Sequence, residues 1–242
     1  MTFLNNNIPK FKSITAIICA FNEESTIENV LKAVADSNLF NEIILVNDGS
    51  TDDTGKIIKE LKKCLDITDI HLPENKGKGF AMATGIEQSQ SEIIVFLDAD
   101  LTELSTSHFA NIINQLIKPI VNNEADMVLV QPYVTILNYK INPFKSLTGE
   151  RSVKRKDILP ILGKMKNSKF GIETLINLYF QATGKIVKYV LLAELDHLSK
   201  FSKTSTLSAS KQYIKEGQEI ALTAFNNFNL ISKVIKNNLN KL

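Results

Sequence analysis

Two aspartates one residue apart, Asp98 and Asp100, close an unbroken apolar run, Ile93-Ile94-Val95-Phe96-Leu97. The run is β-branched and aromatic, the composition of a strand covered on both faces. Carboxylates set this close at the mouth of a buried strand repel each other and are costly to desolvate. A divalent cation relieves both penalties, and Mg²⁺ and Mn²⁺ prefer hard oxygen donors of this kind. A solvated Asp-rich turn capping the next helix is the better account of the two residues taken alone, because the pattern is common, so the pair gains meaning only from its surroundings.

Two more strands end in the same way. Ile14–Ala20 (ITAIICA) runs into Phe21-Asn22-Glu23-Glu24, and Glu42–Asn47 (EIILVN) runs into Asp48-Gly-Ser-Thr-Asp-Asp-Thr54. Ser25-Thr-Ile-Glu28 reads as a capping box opening a helix that lasts to about Asp36, with Ile27, Val30, Leu31 and Val34 inward. A second helix turns Ile57, Ile58 and Leu61 inward. A short strand over 67–72 leads to Asn75-Lys-Gly-Lys-Gly79 and a helix over 79–88. Beyond Asp100 the pattern predicts a helix over 107–121 and strands over 126–131 and 186–191. Alternating strands and helices predict an α/β, Rossmann-like, mostly parallel sheet with helices on both faces and its ligand site at the strands' carboxyl ends. Asn22, Glu23, Asp48, Asp98 and Asp100 all fall there. No G-x-G-x-x-G follows the first strand and no G-x-x-x-x-G-K-[ST] is present, which excludes an ordinary dinucleotide or P-loop site.

The 242 residues, 44% of them hydrophobic, suffice for one large α/β domain. Net charge is only +2 but unevenly spread: residues 1–100 hold 9 Lys/Arg against 16 Asp/Glu, and residues 101–242 hold 19 against 10. An acidic half with a metal site and a basic half facing anions would suit a phosphate-bearing substrate; solvated surface charge gives the same numbers. The cysteines, Cys19 and Cys64, lack metal-type spacing and are expected to be reduced and structural. The first residues lack the apolar core of a signal peptide, and no run approaches the length of a membrane span, so the expected location is cytoplasmic.

The segments I-C-A-F-N-E-E (18–24), V-N-D-G-S-T-D-D-T (46–54), N-K-G-K-G (75–79) and F-L-D-A-D (96–100) together resemble the GT-A glycosyltransferases of family 2, in that family's order and over about the first 100 residues. The resemblance implies a single GT-A domain over 1–242: a nucleotide-sugar-binding half at 1–131, an acceptor-side half at 132–205, and a C-terminal helical extension over 206–242. It implies a metal-dependent hexosyltransferase using Mg²⁺ or Mn²⁺, with a nucleotide-diphosphate sugar donor, UDP-linked in the leading reading, and a small phosphorylated or lipid-phosphate acceptor. Ala20, Phe21 and Glu23 would hold the nucleoside, with Glu23 on the ribose. Asp48 would accept from a base N–H, as an acceptor-only carboxylate can. Lys78 would lie near the base or diphosphate, beside glycines that permit close backbone approach at a helix N-terminus. Asp100 would hold the metal, and Asp98 the sugar–ribose side or the metal through water. Blander roles exist for each: a first-turn charge for Glu23, an Asx-type turn for Asp48, and a solvated lysine at Lys76.

The second half departs from the cellulose- and chitin-synthase pattern, having neither an E-D nor a Q-x-x-R-W motif. Leu147-Thr-Gly-Glu-Arg-Ser-Val-Lys-Arg155 and Lys169-Phe-Gly-Ile-Glu173 are similar to blocks of glucosyl-3-phosphoglycerate synthase-like enzymes, and the second also resembles polyprenyl-phosphate sugar transferases. The similarity implies Gly149 and Arg151 at the acceptor and donor phosphates and Glu173 beside the reacting sugar, as the base if the enzyme inverts. It also implies His197 after the last strand as a further metal ligand, for which a neutral imidazole is suited. Residues 145–169 carry eight Lys/Arg against Glu150 and Asp157, the strongest basic cluster, with Lys154, Arg155 and Lys156 also readable as a solvated helix start. No interleaved aromatics or known module support a nucleic-acid partner. Residues 208–239 read as one or two helices with Ile214, Ile220, Ala221, Phe225, Phe228, Ile231 and Ile235 near helical spacing. Packing on the domain or a dimer partner is expected, with peripheral membrane contact the sharper alternative. Three rivals stand beside the transferase: a catalytically silent nucleotide-sugar-binding protein; a sugar-phosphate nucleotidyltransferase, which would show a Gly-rich loop where this chain has FNEE; and a nucleic-acid-binding role for the basic half, which predicts steeply salt-dependent affinity.

Overall fold

The computed structural model describes residues 13–101, 106–132, 134–136, 139–141, 149–168, 171–192, 222–223 and 225–239. Strands β1 (Ile14–Ala20), β2 (Glu42–Asn47) and β3 (Thr68–His71) run parallel, joined through helices α1 (Ile27–Asp36) and α2 (Thr54–Leu61). Helix α3 (Lys78–Gln88) carries the chain back to β4 (Ile93–Asp98), which pairs in parallel with the other side of β1. Helix α4 (Thr106–Val121) leads to β5 (Met127–Pro132), and β6 (Val134–Ile136) pairs antiparallel with β7 (Tyr139–Ile141) in a sheet of its own. Strand β8 (Arg151–Lys154) then enters antiparallel between β4 and β5. After α5 (Arg155–Ile158), a 3₁₀ turn, α6 (Leu162–Asn167) and α7 (Ile172–Ala182), β9 (Val187–Leu192) closes the sheet parallel to β5. The seven-stranded order is β3-β2-β1-β4-β8-β5-β9, and α8 (Phe228–Leu239) follows.

Why the central strands are apolar throughout is visible in their alternation. In β4, Ile93, Val95 and Leu97 join Leu31 of α1, Ile58 of α2 and Ile113 and Leu116 of α4 in one core. Ile94 and Phe96 face the other way, into a second core with Met82 of α3, Met165 of α6 and Ile176 and Phe180 of α7. A strand with helices on both sides has no face left for polar residues. Gly85 of α3 fits over β1 because a Cβ there would stand 2.6 Å from Ile17 Cγ2.

The strand order reverses between β1 and β4: the chain builds outward from β1 through β2 to β3, then returns to place β4 on the opposite side. Such a switch point opens a crevice at the carboxyl ends of the two strands. Asp98 is the last residue of β4, and Ala20 the last of β1.

Several local expectations need correction. The capping box does not form: Thr26, not Ser25, precedes α1, and it makes no cap bond to the helix. Its hydroxyl donates to Glu23 Oε2 at 3.0 Å, and Glu28 pairs with Lys32 at 2.6 Å. The hydrophobic pattern of the sequence does not predict strand β8. At the C-terminus, α8 does pack on α7, but through Leu230, Val234 and an Asn237 Nδ2 bond to Ala182 O at 3.2 Å. The expected stripe is offset: Phe225, Phe228 and Ile235 are exposed. No helix among the described residues is long and apolar enough to cross a membrane. Ile214, Ile220, Ala221 and His197 lie outside the described residues.

Candidate active site

A cleft of about 780 Å³ opens at the switch point, lined by Cys19, Ala20, Phe21 and Glu23 from β1 and its turn, by Asp48 and the 74–78 segment, and by Asp98, Ala99 and Asp100. The sequence-expected donor residues Ala20, Phe21, Glu23, Asp48, Lys78 and Asp98 therefore come together on one wall, although they span 79 positions along the chain. Turns stitch that wall. Asn22, at φ 58, accepts from Thr51 N–H at 2.9 Å, and Glu23 N–H donates to Thr54 Oγ1 at 2.8 Å. The turns after β1 and β2 are thereby fixed to each other.

Asp48, on the cleft wall, is tied to the backbone of the glycine turn. It is 3% exposed, and its two oxygens accept the backbone N–H groups of Lys76 at 2.8 Å and Gly77 at 2.9 Å. Burial raises its pKa, against the pull of those two amides. The carboxylate is the anchor of the glycine turn, and each oxygen keeps a second lone pair. Gly49, at φ +68, lies against the same turn: a Cβ there would stand 2.3 Å from Glu74 C. Gly77, at φ 92, then starts α3 in a conformation that glycine tolerates. Lys76 contributes its backbone to this anchor while its side chain pairs with Glu74 at the surface.

Lys78 is the electrostatic centre. Its Nζ donates to Asp98 Oδ1 at 2.9 Å and meets Glu173 Oε1 at 2.7 Å. Burial would lower its pKa, but Asp98 and then Glu173 outweigh that and hold the ammonium well above the ordinary lysine value. Glu173 shows the converse: burial would raise it, yet Lys78 and Arg151 keep the carboxylate below its usual range. Glu173 sits in the first turn of α7, after Gly171 at φ 67, and is turned toward β4 rather than into solvent. Lys78 lines the cleft and Glu173 stands behind it.

Arg151 departs most from expectation. It is 0% exposed, in the middle of the sheet, opposite Phe96 on β4 and Leu129 on β5. Its Nη1 donates to Asn177 Oδ1 at 3.2 Å and points at Glu173 O at 3.5 Å. In this arrangement it supports the start of α7 from below and is not among the residues that line the cleft. Extending the β8 register brings Glu150 and Gly149 level with Leu97 and Asp98. A Cβ on Gly149 would fall 2.1 Å from Asp98 Oδ2, so only glycine leaves room for that carboxylate.

Glu150 and Asn177 were missed as site residues. Glu150 is pushed up to about 7, by burial first and then by Asp98, with Asp100 adding to it. Its only sequence signal was its place between Gly149 and Arg151. Cys19, also on the cleft wall, is pushed up to about 12 by burial, against the pull of Lys78. Both cysteines are free thiols.

Asp98, Asp100 and Glu150 thus form an acidic pole that Lys78 offsets in part, by its ion pair with Asp98 and at longer range at Glu150. Among the described residues no group of three His, Cys, Asp or Glu is placed to hold a metal ion by itself. Two carboxylates still fit Mg²⁺ or Mn²⁺, which commonly keep waters and take substrate phosphate oxygens to complete their shell.

The family model described as Glycosyl transferase family 2 matches residues 15–184. Over 166 residues the chain is 31% identical to poly-beta-1,6-N-acetyl-D-glucosamine synthase of Staphylococcus aureus (strain COL), covering 68% of this chain and 34% of that protein. It is 29% identical over 161 residues to the Staphylococcus epidermidis synthase of the same name. The chain spans about a third of the length of these curated relatives. Among solved structures it is similar to glucosyl-3-phosphoglycerate synthase from Mycobacterium tuberculosis in complex with Mn²⁺, uridine-diphosphate and phosphoglyceric acid, with TM-score 0.58 and 20% identity over 75% of this chain and 69% of that one. It is also similar to residues 1–349 of S. aureus TarS, with TM-score 0.55 and 18% identity over 75% and 58%. Fold, switch-point cleft and matched sequence agree: the chain belongs to glycosyl transferase family 2, as a glycosyltransferase built on the GT-A fold.

Proposed function

We propose that this enzyme moves a hexose from a nucleotide-diphosphate sugar, UDP-linked, to a hydroxyl of a small phosphorylated or lipid-phosphate acceptor, with a divalent cation at Asp98 and Asp100. The observation that carries the reading is the Asp98–Lys78–Glu173 chain at the carboxyl end of β4, which brings together residues from three separate motifs. Support for UDP and the cation comes from the M. tuberculosis neighbour, which was crystallised with both.

When bound, the cation would offset negative charge gathering on the departing diphosphate. The protein's own residues do the rest. The Asp48-anchored turn presents the N-terminus of α3 and the Lys78 ammonium to the diphosphate. As Lys78 turns to the phosphates, Glu173 is released as an ionised carboxylate able to take the acceptor's proton. Arg151 and Asn177 keep α7, and with it Glu173, in place during that exchange.

The acceptor has two readings. The phosphorylated one rests on similarity to the phosphoglycerate enzyme. Identity to the poly-N-acetylglucosamine synthases favours a sugar hydroxyl instead, and so does the placement of the basic cluster: Lys76 and Lys78 are the cations lining the cleft among the described residues.

The test is thermal denaturation with UDP, GDP, CMP and TDP, with and without Mn²⁺, followed by sugar-nucleotide turnover against phosphoglycerate and against N-acetylglucosamine oligomers. Ligand that binds only the native state raises the melting temperature. The expected result is a Mn²⁺-dependent rise with UDP that Asp100→Ala abolishes. Absence of any rise in the folded protein would overturn the donor site.

A further inference from the structure

Lys154, Arg155 and Lys156, the middle of the basic cluster, lie at the opposite end of the sheet from the cleft. Because β8 runs antiparallel, Arg151 is level with Phe96 near the end of β4, whereas Lys154 is level with Ile93 at its start. Arg155 follows, its N–H donating to Glu92 O at 2.8 Å. There a second cleft of about 570 Å³ opens, lined in part by Ser91, Asn123, Lys154, Arg155 and Lys156.

Three consecutive cations and one carboxylate, Glu92, line this rear cleft. Lys154 is neutralised by Asp126 at 2.9 Å. Arg155 and Lys156 have no carboxylate partner among the described residues, and Arg155 Nε is buried with no hydrogen-bond partner there. An anion entering the cleft would meet two cations that no carboxylate among the described residues holds, and a guanidinium fork matches phosphoryl oxygens. Ile93, Ile120 and Leu159 supply apolar wall beside the charged rim. We propose that the rear cleft binds a phosphate-bearing ligand: the phosphoryl oxygens meet Arg155 and Lys156, and the organic part rests on the apolar wall. The site is separate from the donor cleft and stands whether or not that cleft takes a sugar nucleotide.

The test is a titration of the ¹⁵N-labelled full chain with inorganic pyrophosphate, in chelator, followed at the amide signals of Ser91 and Asn123 and, for the donor cleft, of Gly77. Saturable shifts at Ser91 and Asn123 are expected, weakened roughly tenfold or more by Arg155→Gln with Lys156→Glu and unchanged by Lys78→Met. Lys156→Glu alone, at an exposed position, gives the same direction of change if the double variant does not fold. No saturable shift at Ser91 and Asn123, or one indifferent to these substitutions, overturns the proposal. Vesicles of phosphatidylglycerol locate the source: competition with pyrophosphate assigns the phosphate to a lipid headgroup, and lack of competition to a soluble ester; either supports the site.

Discussion

Replacing Asp48 by Asn tests whether this carboxylate is an anchor for the glycine turn. The two oxygens each accept one backbone N–H, at 2.8 and 2.9 Å, and the residue is 3% exposed. Asn keeps one acceptor and turns an NH₂ toward the other amide, so one charge-assisted bond is lost and two donors face each other. A bond to a charged group contributes about 1.5–3 kcal/mol, and a buried unsatisfied donor costs about 1–3 kcal/mol. Burial of the charge is itself unfavourable, as the raised pKa of Asp48 shows, and removing it returns part of that loss. A net destabilisation of about 2 kcal/mol follows, or a melting temperature lowered by roughly 6 °C for a domain of this size. Lys76→Ala is the internal control: it keeps the backbone N–H and removes only a surface pair with Glu74, which contributes little. Differential scanning calorimetry of both variants, with nucleotide titrations, is the assay. If Asp48→Asn melts like the parent, or Lys76→Ala falls as far, the anchor reasoning is refuted.

Other perturbations follow from the same geometry. Lys78→Met removes the cation that holds Glu173 below its usual range, so the acid limb of the kcat/KM profile should move to higher pH, with a rate loss of roughly a hundredfold; an unmoved limb separates Glu173 from the chemistry. Glu150 has a folded pKa raised to about 7 from 4.5, so the native state binds the proton more tightly and stability should fall as pH rises across that window. Glu150→Gln should flatten the decline, and Mn²⁺ should shrink it in the parent, as read by denaturant unfolding at several pH values. Gly149→Ala puts a Cβ 2.1 Å from Asp98 Oδ2 and should cost activity roughly a hundredfold. Gly163→Ala, inside α6 with nothing within 4 Å of its Cβ, should be neutral or stabilising by up to about 1 kcal/mol.

The acidic strand ends, the parallel half of the sheet and the switch-point site were readable because hydrophobic alternation and strand termination are local signals. Strands β1 and β2 match their expected bounds, and the expected donor residues line one cleft. What escaped was set by tertiary context. Strand β8 is four residues long, RSVK, and begins with an arginine that is fully buried; nothing in its composition marks an interior strand. Its direction decides where Lys154, Arg155 and Lys156 go, and sequence spacing carries no direction. The hold of Asp48 on two backbone amides, 28 and 29 positions away, has no local signal either. Glu150 owes its raised pKa to burial first and then to Asp98 and Asp100, surroundings that only the antiparallel pairing supplies.

That antiparallel pairing has a consequence for how this part of the chain can change. Side chains of β8 alternate between the two cores: Val153 belongs to the face of α3, α6 and α7, and Ser152 bonds Leu116 O on the face of α4 at 2.6 Å. Losing or gaining one residue here would exchange the faces of every side chain in the strand. It would also draw Gly149 off Asp98 at one end and move Lys154 away from Asp126 at the other. Residues 149–154 can therefore exchange side chains one at a time far more readily than they can change in number. Among related sequences, insertions and deletions should stop short of this strand on both sides.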